Sequence, residues 1–364
     1  MRKTLALALA LGMIAGGAWL AAVLQRPAPL PDDLAIVEIA TGAQAELAAT
    51  YPETASGVVH RDAHAKAHGC VKAIFRTDLD SPENLRVGTF ATPGQAFKTL
   101  IRYSNGAMNP GPDSQPDGRG MAVKLIDADP DKTGVARGQP PHDILMVNYP
   151  EFFVSGIEDY RIFVGVHALR GGEKEFKAYF QPGWNPFNWR LRDAKIAIAN
   201  ASRPIESPLH SDYFSMTPFA FGAGRAVKYS ARPCTAATGA APLPHGPDYL
   251  RKALVSELAT APACFELLVQ EQPSTVNLDD AREEWQTPFR RVGRIDIPAQ
   301  NVDAPGREAA CENLSFNPGR APAEQAPVGA INRIRAVVYS KIAAYRMKRN
   351  NVTATDPERA WDSF

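Results

Sequence analysis

An arginine three residues ahead of a histidine, Arg61-Asp62-Ala63-His64, opens the segment of this chain best suited to chemistry. An imidazole can accept and return a proton near neutral pH. A guanidinium beside it can hold an anionic group. The same stretch carries His60 and His68, so imidazoles recur every four residues. On a helix that spacing would put three nitrogen ligands on one face, as a zinc site could use. Gly69 and the alternating run over 71–75 point instead to a strand, and no neighbouring carboxylate motif supplies a general base. Read alone, the three histidines are interchangeable.

A second set lies near the C-terminus. Arg335, Tyr339 and Arg346 stand at i, i+4 and i+11, within about 40° of one another on a helix. Ile331, Ile334, Val338 and Ile342 make an adjacent apolar stripe, so the tyrosine face borders the core. Cations beside a phenol favour its phenolate, and a phenolate can be an axial ligand of haem iron. Arg346 is then available for a haem propionate, which a guanidinium fork matches better than an ammonium does. Taken singly, Arg-x-x-x-Tyr is an ordinary feature of a solvated helix.

Positioning these residues falls to a β-rich frame. Strand-like segments lie at 71–75, 100–104, 121–125 and 144–147, with turn clusters such as Asn109-Pro110-Gly111-Pro112-Asp113 between them. Two more fall at 226–229 and 264–270. Short strands with turn signals at this spacing predict a barrel or sandwich. Helices are expected over 34–50, 157–169 and 330–348. The patch Pro182-Gly183-Trp184-Asn185-Pro186-Phe187-Asn188-Trp189 reads as a packed loop, and 308–327 as irregular. Without internal repeats or a second linker, residues 34–364 form one α+β domain.

With 45% hydrophobic and 22% charged residues, the 364-residue chain is globular. A net charge of +1 leaves no basic footprint for nucleic acid. Residues 1–33 stand apart: Arg2 and Lys3 precede an uncharged run over 4–24, then a Pro-rich stretch. About 20 apolar residues suffice to cross a bilayer, so this reads as an uncleaved membrane anchor rather than a cleaved signal. The basic N-terminus places the domain outside the cytoplasm, in the periplasm if the source is bacterial. Four cysteines allow three full pairings. Cys70 is expected to be a small buried residue, and a single disulfide would join two of Cys234, Cys264 and Cys311.

In order along the chain, the motifs resemble those of the haem catalase superfamily. Arg61-x-x-His64-Ala65-Lys66 is similar to its distal-histidine motif, and Arg102-Tyr103-Ser104 to its Arg-Phe-Ser segment. Asp117-Gly118-Arg119-Gly120-Met121-Ala122-Val123-Lys124-Leu125 resembles its Asp-x-Arg-Gly-Phe-Ala-x-Lys-Phe strand. Asn148-x-Pro150-x-Phe152-Phe153 resembles Asn-Asn-Thr-Pro-x-Phe-Phe, and Phe316-Asn317-Pro318 precedes Arg335-x-x-x-Tyr339. The match spans about residues 58–346.

The resemblance implies an antiparallel β-barrel with surrounding helices and a b-type haem buried beside it. It makes His64 the distal acid and base, with Ser104 setting its tautomer. Arg61, Arg102 and Arg346 would face the propionates, Arg335 would hold Tyr339 as the iron ligand, and Tyr160 and Phe163 would stack in the pocket. His60 and His68 then become ordinary surface or partly buried side chains. The substrate would be a small-molecule hydroperoxide, with an electron donor that the sequence does not identify.

Departures matter as much. Counting back from Phe152-Phe153, the family's distal Asn falls on Val147, and Asn148 matches the second Asn; a one-residue shift would make Asn148 a catalytic residue. Val147 in that place makes the pocket more apolar and favours a larger hydroperoxide over hydrogen peroxide. Phe97, Phe152, Phe153 and Phe163 are candidates to line an apolar channel. Asp62-Ala63 replaces a branched apolar pair before His64. The large catalases' C-terminal extension is missing, so their interwoven tetramer is not assumed. Two other readings keep the fold: a haem-binding protein without turnover, and an enzyme that rearranges fatty-acid hydroperoxides.

Overall fold

The computed structural model describes residues 30–54, 57–127, 141–170, 173–235 and 246–364. The predicted membrane anchor over 4–24 lies outside them. Among the described residues no helix is long and apolar enough to cross a membrane.

Helix α1 (Asp32–Thr50) buries Ala35, Ile36, Ile39, Ala40, Ala43 and Leu47. This is the three-and-four spacing of one helix face, and Asp32 and Asp33 complement the dipole at its start. Strands β1 (Ala67–Thr77), β2 (Ala96–Asn105), β3 (Arg119–Asp127) and β4 (His142–Val147) follow. Helices α2 (Ile157–Arg170), α3 (Glu173–Phe180) and α4 (Leu191–Ala201) come next, then β5 (Tyr213–Phe214), β6 (Phe219–Ala220) and β7 (Ala226–Pro233). The chain ends with α5 (Tyr249–Thr260), β8 (Ala263–Glu271), β9 (Phe289–Ile297), α6 (Arg307–Asn313), α7 (Ala330–Arg349) and α8 (Pro357–Ser363).

The sheet order is β5-β4-β3-β2-β1-β9-β8-β7-β6, and β5 also pairs with β7. That extra pairing closes eight antiparallel strands into a barrel, with β6 flanking β7 outside the ring. Closure removes free edges. Alternate side chains fill the interior, among them Phe75, Tyr103, Met121, Tyr213, Tyr229 and Phe265. A second core joins α1, α2 and α7 through Ile39, Ile157, Ile334, Val338 and Ile342.

All six expected strands and all three expected helices form. Strands β5, β6 and β9 and helices α3, α4, α5, α6 and α8 come in addition, and α6 begins the stretch 308–327 expected to be irregular. The cysteine expectation is corrected in part. Cys234 pairs with Cys264, two of the later three, but Cys70 pairs with Cys311 and is no free thiol.

Candidate active site

Strand alternation builds the site. Ile101, Tyr103, Met121, Val123 and Ile144 point into the barrel, so Arg102, Ser104, Gly120, Ala122, Leu145 and Val147 point out. These outward residues floor a cavity that residues 61–64 and α7 enclose from the other sides, with an empty volume of about 1220 Å³ including its mouth. Ser104, Gly120 and Val147 are register partners in one row across β2, β3 and β4.

His64 sits on that row. Its φ of 58° is left-handed, an unfavourable state for a side-chain-bearing residue that costs about 1–3 kcal/mol. Three contacts hold it there. The His64 amide donates to the Gly106 carbonyl (3.0 Å), its carbonyl accepts from Arg102 Nη2 (2.9 Å), and Nδ1 lies 3.0 Å from Ser104 Oγ. A Cβ on Gly120 would lie 2.5 Å from Nδ1 and 2.7 Å from Cε1, so the imidazole rests where any other residue would collide. Met216, which also lines the cavity, shares the left-handed conformation at φ 59°. Burial, then the charges of Arg102 and Arg335, lower the His64 pKa to about 4. The ring is therefore neutral at ordinary pH and can accept a proton. Asp62 lines the same cavity, and burial raises its carboxyl to about 6.

Helix α7 brings Arg335, Tyr339 and Arg346 to the cavity together, as their spacing predicts. The Arg335 guanidinium carbon lies 5.5 Å from the centre of the Tyr339 ring. Arg335 Nη1 donates to Thr217 Oγ1 (2.8 Å) and Asn332 Oδ1 (3.1 Å). Both partners are neutral, so neither cancels its charge.

At the rim the sequence reading missed a residue. Arg61, Arg102 and Arg346 surround Glu312 on α6: Arg61 Nη1 donates to Oε2 (2.9 Å), Arg346 Nη2 to Oε1 (2.6 Å), and Arg102 Nη2 lies 4.0 Å away. His60 Nδ1 approaches Oε1 at 3.4 Å. Burial alone would raise this carboxyl, but His60 and the three arginines outweigh it and hold the pKa at about 2. Three cations against one carboxylate leave two positive charges in excess. Arg102 Nε is also buried without a hydrogen-bond partner. The signal that would have found Glu312 is electrostatic: three buried guanidiniums at one rim need a counter-charge.

No protein-family model matches the sequence, and no curated protein matches it. Solved structures do. The chain aligns over 83% of its length with a fungal catalase (TM-score 0.60, 17% identity), with catalase A from Saccharomyces cerevisiae (0.63, 18%) and with a bacterial catalase (0.62, 19%). This is the catalase fold. The aligned part covers 62%, 64% and 60% of those three catalases, so the chain spans less than two thirds of their length.

Within this catalase fold several sequence-predicted residues fall elsewhere than expected. Asn148 does not reach the cavity. One step beyond Val147 a strand residue faces the other way, and Asn148 Oδ1 instead accepts from the Arg119 amide (2.7 Å), with Nδ2 donating to the Arg203 carbonyl (3.3 Å). Val147 takes the place in the cavity. Tyr160 and Phe152 line it, but Phe163 does not; its ring packs on Phe153 (5.2 Å) and Tyr179 (5.3 Å) behind that wall. Phe97 packs against the barrel core. Residues 57–66 are not helical, so His60, His64 and His68 share no helix face. His68 is buried, 3.8 Å from Asp113.

Proposed function

We propose that this protein is a haem-dependent oxidoreductase that consumes hydroperoxides, with organic hydroperoxides favoured over hydrogen peroxide. The observation that carries the reading is a neutral imidazole, fixed over Gly120 by Ser104, in one cavity with the Arg335–Tyr339 pair. The lining fits the group: apolar side chains of Ala122, Leu145 and Val147 on one side face Ile331, Ile334 and Val338 on the other, and the rim's two excess positive charges match two propionates. Tyr339 would hold the iron through its phenol oxygen, with the Arg335 guanidinium against its ring, and Arg61, Arg102 and Arg346 would face the propionates. When bound, ferric haem would supply the metal centre for heterolytic cleavage of an O–O bond.

The protein's own part is proton handling and selection. Ser104 engages Nδ1 of His64 and leaves Nε2 to take the hydroperoxide proton and return it to the departing oxygen. Val147, Leu145 and Ala122 offer no hydrogen bond to a second peroxide oxygen, but they accept an alkyl group. This supports peroxidase-type turnover, with weak oxygen release from hydrogen peroxide.

The test measures oxygen evolution from hydrogen peroxide beside turnover of an alkyl hydroperoxide with an electron donor, in wild type and Tyr339→Phe. Wild type should carry haem and prefer the alkyl substrate; Tyr339→Phe should lose haem or change its absorption spectrum. An unchanged spectrum at full loading in Tyr339→Phe would remove the ligand assignment. High oxygen yield from wild type would overturn the substrate preference.

A further inference from the structure

The loop read from sequence as packed is the most exposed apolar feature among the described residues. Trp184 is 99% and Phe187 94% accessible, and Leu191 (64%) and Ile198 (65%) continue the patch along α4. It is a built projection. Asn185 Oδ1 accepts from the Phe187 amide (3.1 Å), and Trp189 Nε1 donates to the Gly183 carbonyl (3.1 Å), which closes the loop and leaves Trp184 and Phe187 at its tip. At its base Arg190 is paired with Asp159 (2.6 Å). On α4, Leu191, Lys195 and Ile198 share the outward face, while Asp193, Ile196 and Ala197 are buried.

A second exposed apolar patch lies where the N-terminal run meets the domain. Leu34 (59%) and Val37 (57%) stand on α1. The Asp32–Arg333 ion pair (3.0 Å) and the Lys341–Thr41 hydrogen bond (2.8 Å) run α1 alongside α7, on which Val337 is also exposed. A chain of ion pairs links the two patches through residues 279–282. Arg333 reaches Asp279 (3.9 Å), Asp280 pairs with Arg282 (2.8 Å), Arg282 with Asp193 (2.9 Å), and Asp193 with Arg190 (3.7 Å) at the loop base.

We propose that Trp184 and Phe187 insert into the interfacial layer of the lipid bilayer entered by the uncharged run over 4–24. The domain then lies against the membrane surface. Seven residues, 25–31, separate that run from α1 and can extend to about 25 Å at most. Trp and Phe suit the headgroup zone, where an aromatic body is buried beside polar groups. Lys195, between Leu191 and Ile198, can reach lipid phosphates while its stem covers apolar surface.

The test uses the full chain reconstituted into vesicles of phosphatidylcholine and phosphatidylglycerol. The described cysteines are all in disulfides, so Phe187→Cys, Trp184→Cys and, as a reference, Leu79→Cys each provide one site for a nitroxide. Labels at 184 and 187 should collide several-fold less with an aqueous nickel chelate than the label at 79, and more with oxygen. Equal nickel accessibility at 187 and 79 overturns the proposal. So does spin–spin broadening at 187, which would place a second copy of the chain on the patch, and so does protein that fails to float with the vesicles.

Discussion

The rim and the floor of the cavity are built on opposite plans. At the rim, Arg61, Arg102 and Arg346 from three separate chain regions converge on one carboxylate, and each guanidinium also binds backbone carbonyls. On the floor, Gly120, Ala122, Leu145 and Val147 offer no side-chain polar group to one another. The rim is a closed network in which every member depends on the rest. Beyond Ser104 and Gly120, which seat His64, the floor is a row of apolar positions that can change singly. Structural integrity is concentrated in the first, and choice of substrate can change in the second at little cost.

The largest effect should follow from breaking the rim. Glu312→Ala leaves three buried guanidiniums without their carboxylate and should cost about 3–5 kcal/mol, read as a lower urea midpoint. A loss below about 1 kcal/mol would show that backbone carbonyls hold the arginines in place without Glu312. Gly120→Ala comes next. Its methyl group would enter the space of the His64 ring and Ser104 Oγ, with an expected cost of about 1–3 kcal/mol and slower hydroperoxide turnover. If stability falls but turnover is unchanged, the ring does not need this seat. Val147→Asn should change stability least on this list of variants, by about 1 kcal/mol, while raising oxygen release from hydrogen peroxide relative to alkyl hydroperoxide turnover. No change in that ratio would detach substrate choice from the floor.

Titration gives the gentlest probe of the same contrast. His64, at about 4, and His142, lowered by burial to about 3, stay neutral in the folded protein where unfolded imidazoles already charge. The unfolded chain binds more protons below about pH 6.5, so stability should fall as pH drops from there toward 4. Glu312, held at about 2, acts in the same direction but lower down: its contribution is complete above the usual carboxylate range and is lost as pH falls from there toward 2. His142→Gln should flatten the upper of these two slopes in pH-dependent urea unfolding, and an unaltered slope would assign it to other groups.

What the sequence made legible was periodic. Residues 71–75, 100–104, 121–125 and 144–147 announce their strands because one side fills the barrel, and the Arg335, Tyr339 and Arg346 face follows from helical spacing. What stayed hidden depended on long-range pairing. Strand β9 presents Arg290, Arg291 and Arg294, and a register shift at Val292 leaves only Ile295 and Ile297 in alternation. Glu312 lies in a stretch that reads as irregular, and only the fold brings it to arginines more than two hundred residues earlier. Asn148 was misplaced because one residue of register decides which face a strand residue shows. Gly120 carried a readable sign, since glycine inside a strand marks a close approach, here that of the His64 ring.

The Cys70–Cys311 bond spans 241 positions, and Cys311 adjoins Glu312. Closing a ring of that size removes on the order of 5 kcal/mol of denatured-chain entropy. It also imposes an order on biosynthesis: Arg61 and Arg102 emerge from the ribosome long before the helix that must neutralise them. Until α6 arrives and is stitched to β1, the nascent barrel has neither its rim carboxylate nor its Tyr339 helix. The pocket is thus completed only once the chain beyond α6 has been made, with the Cys70–Cys311 bond fastening α6 to the first strand.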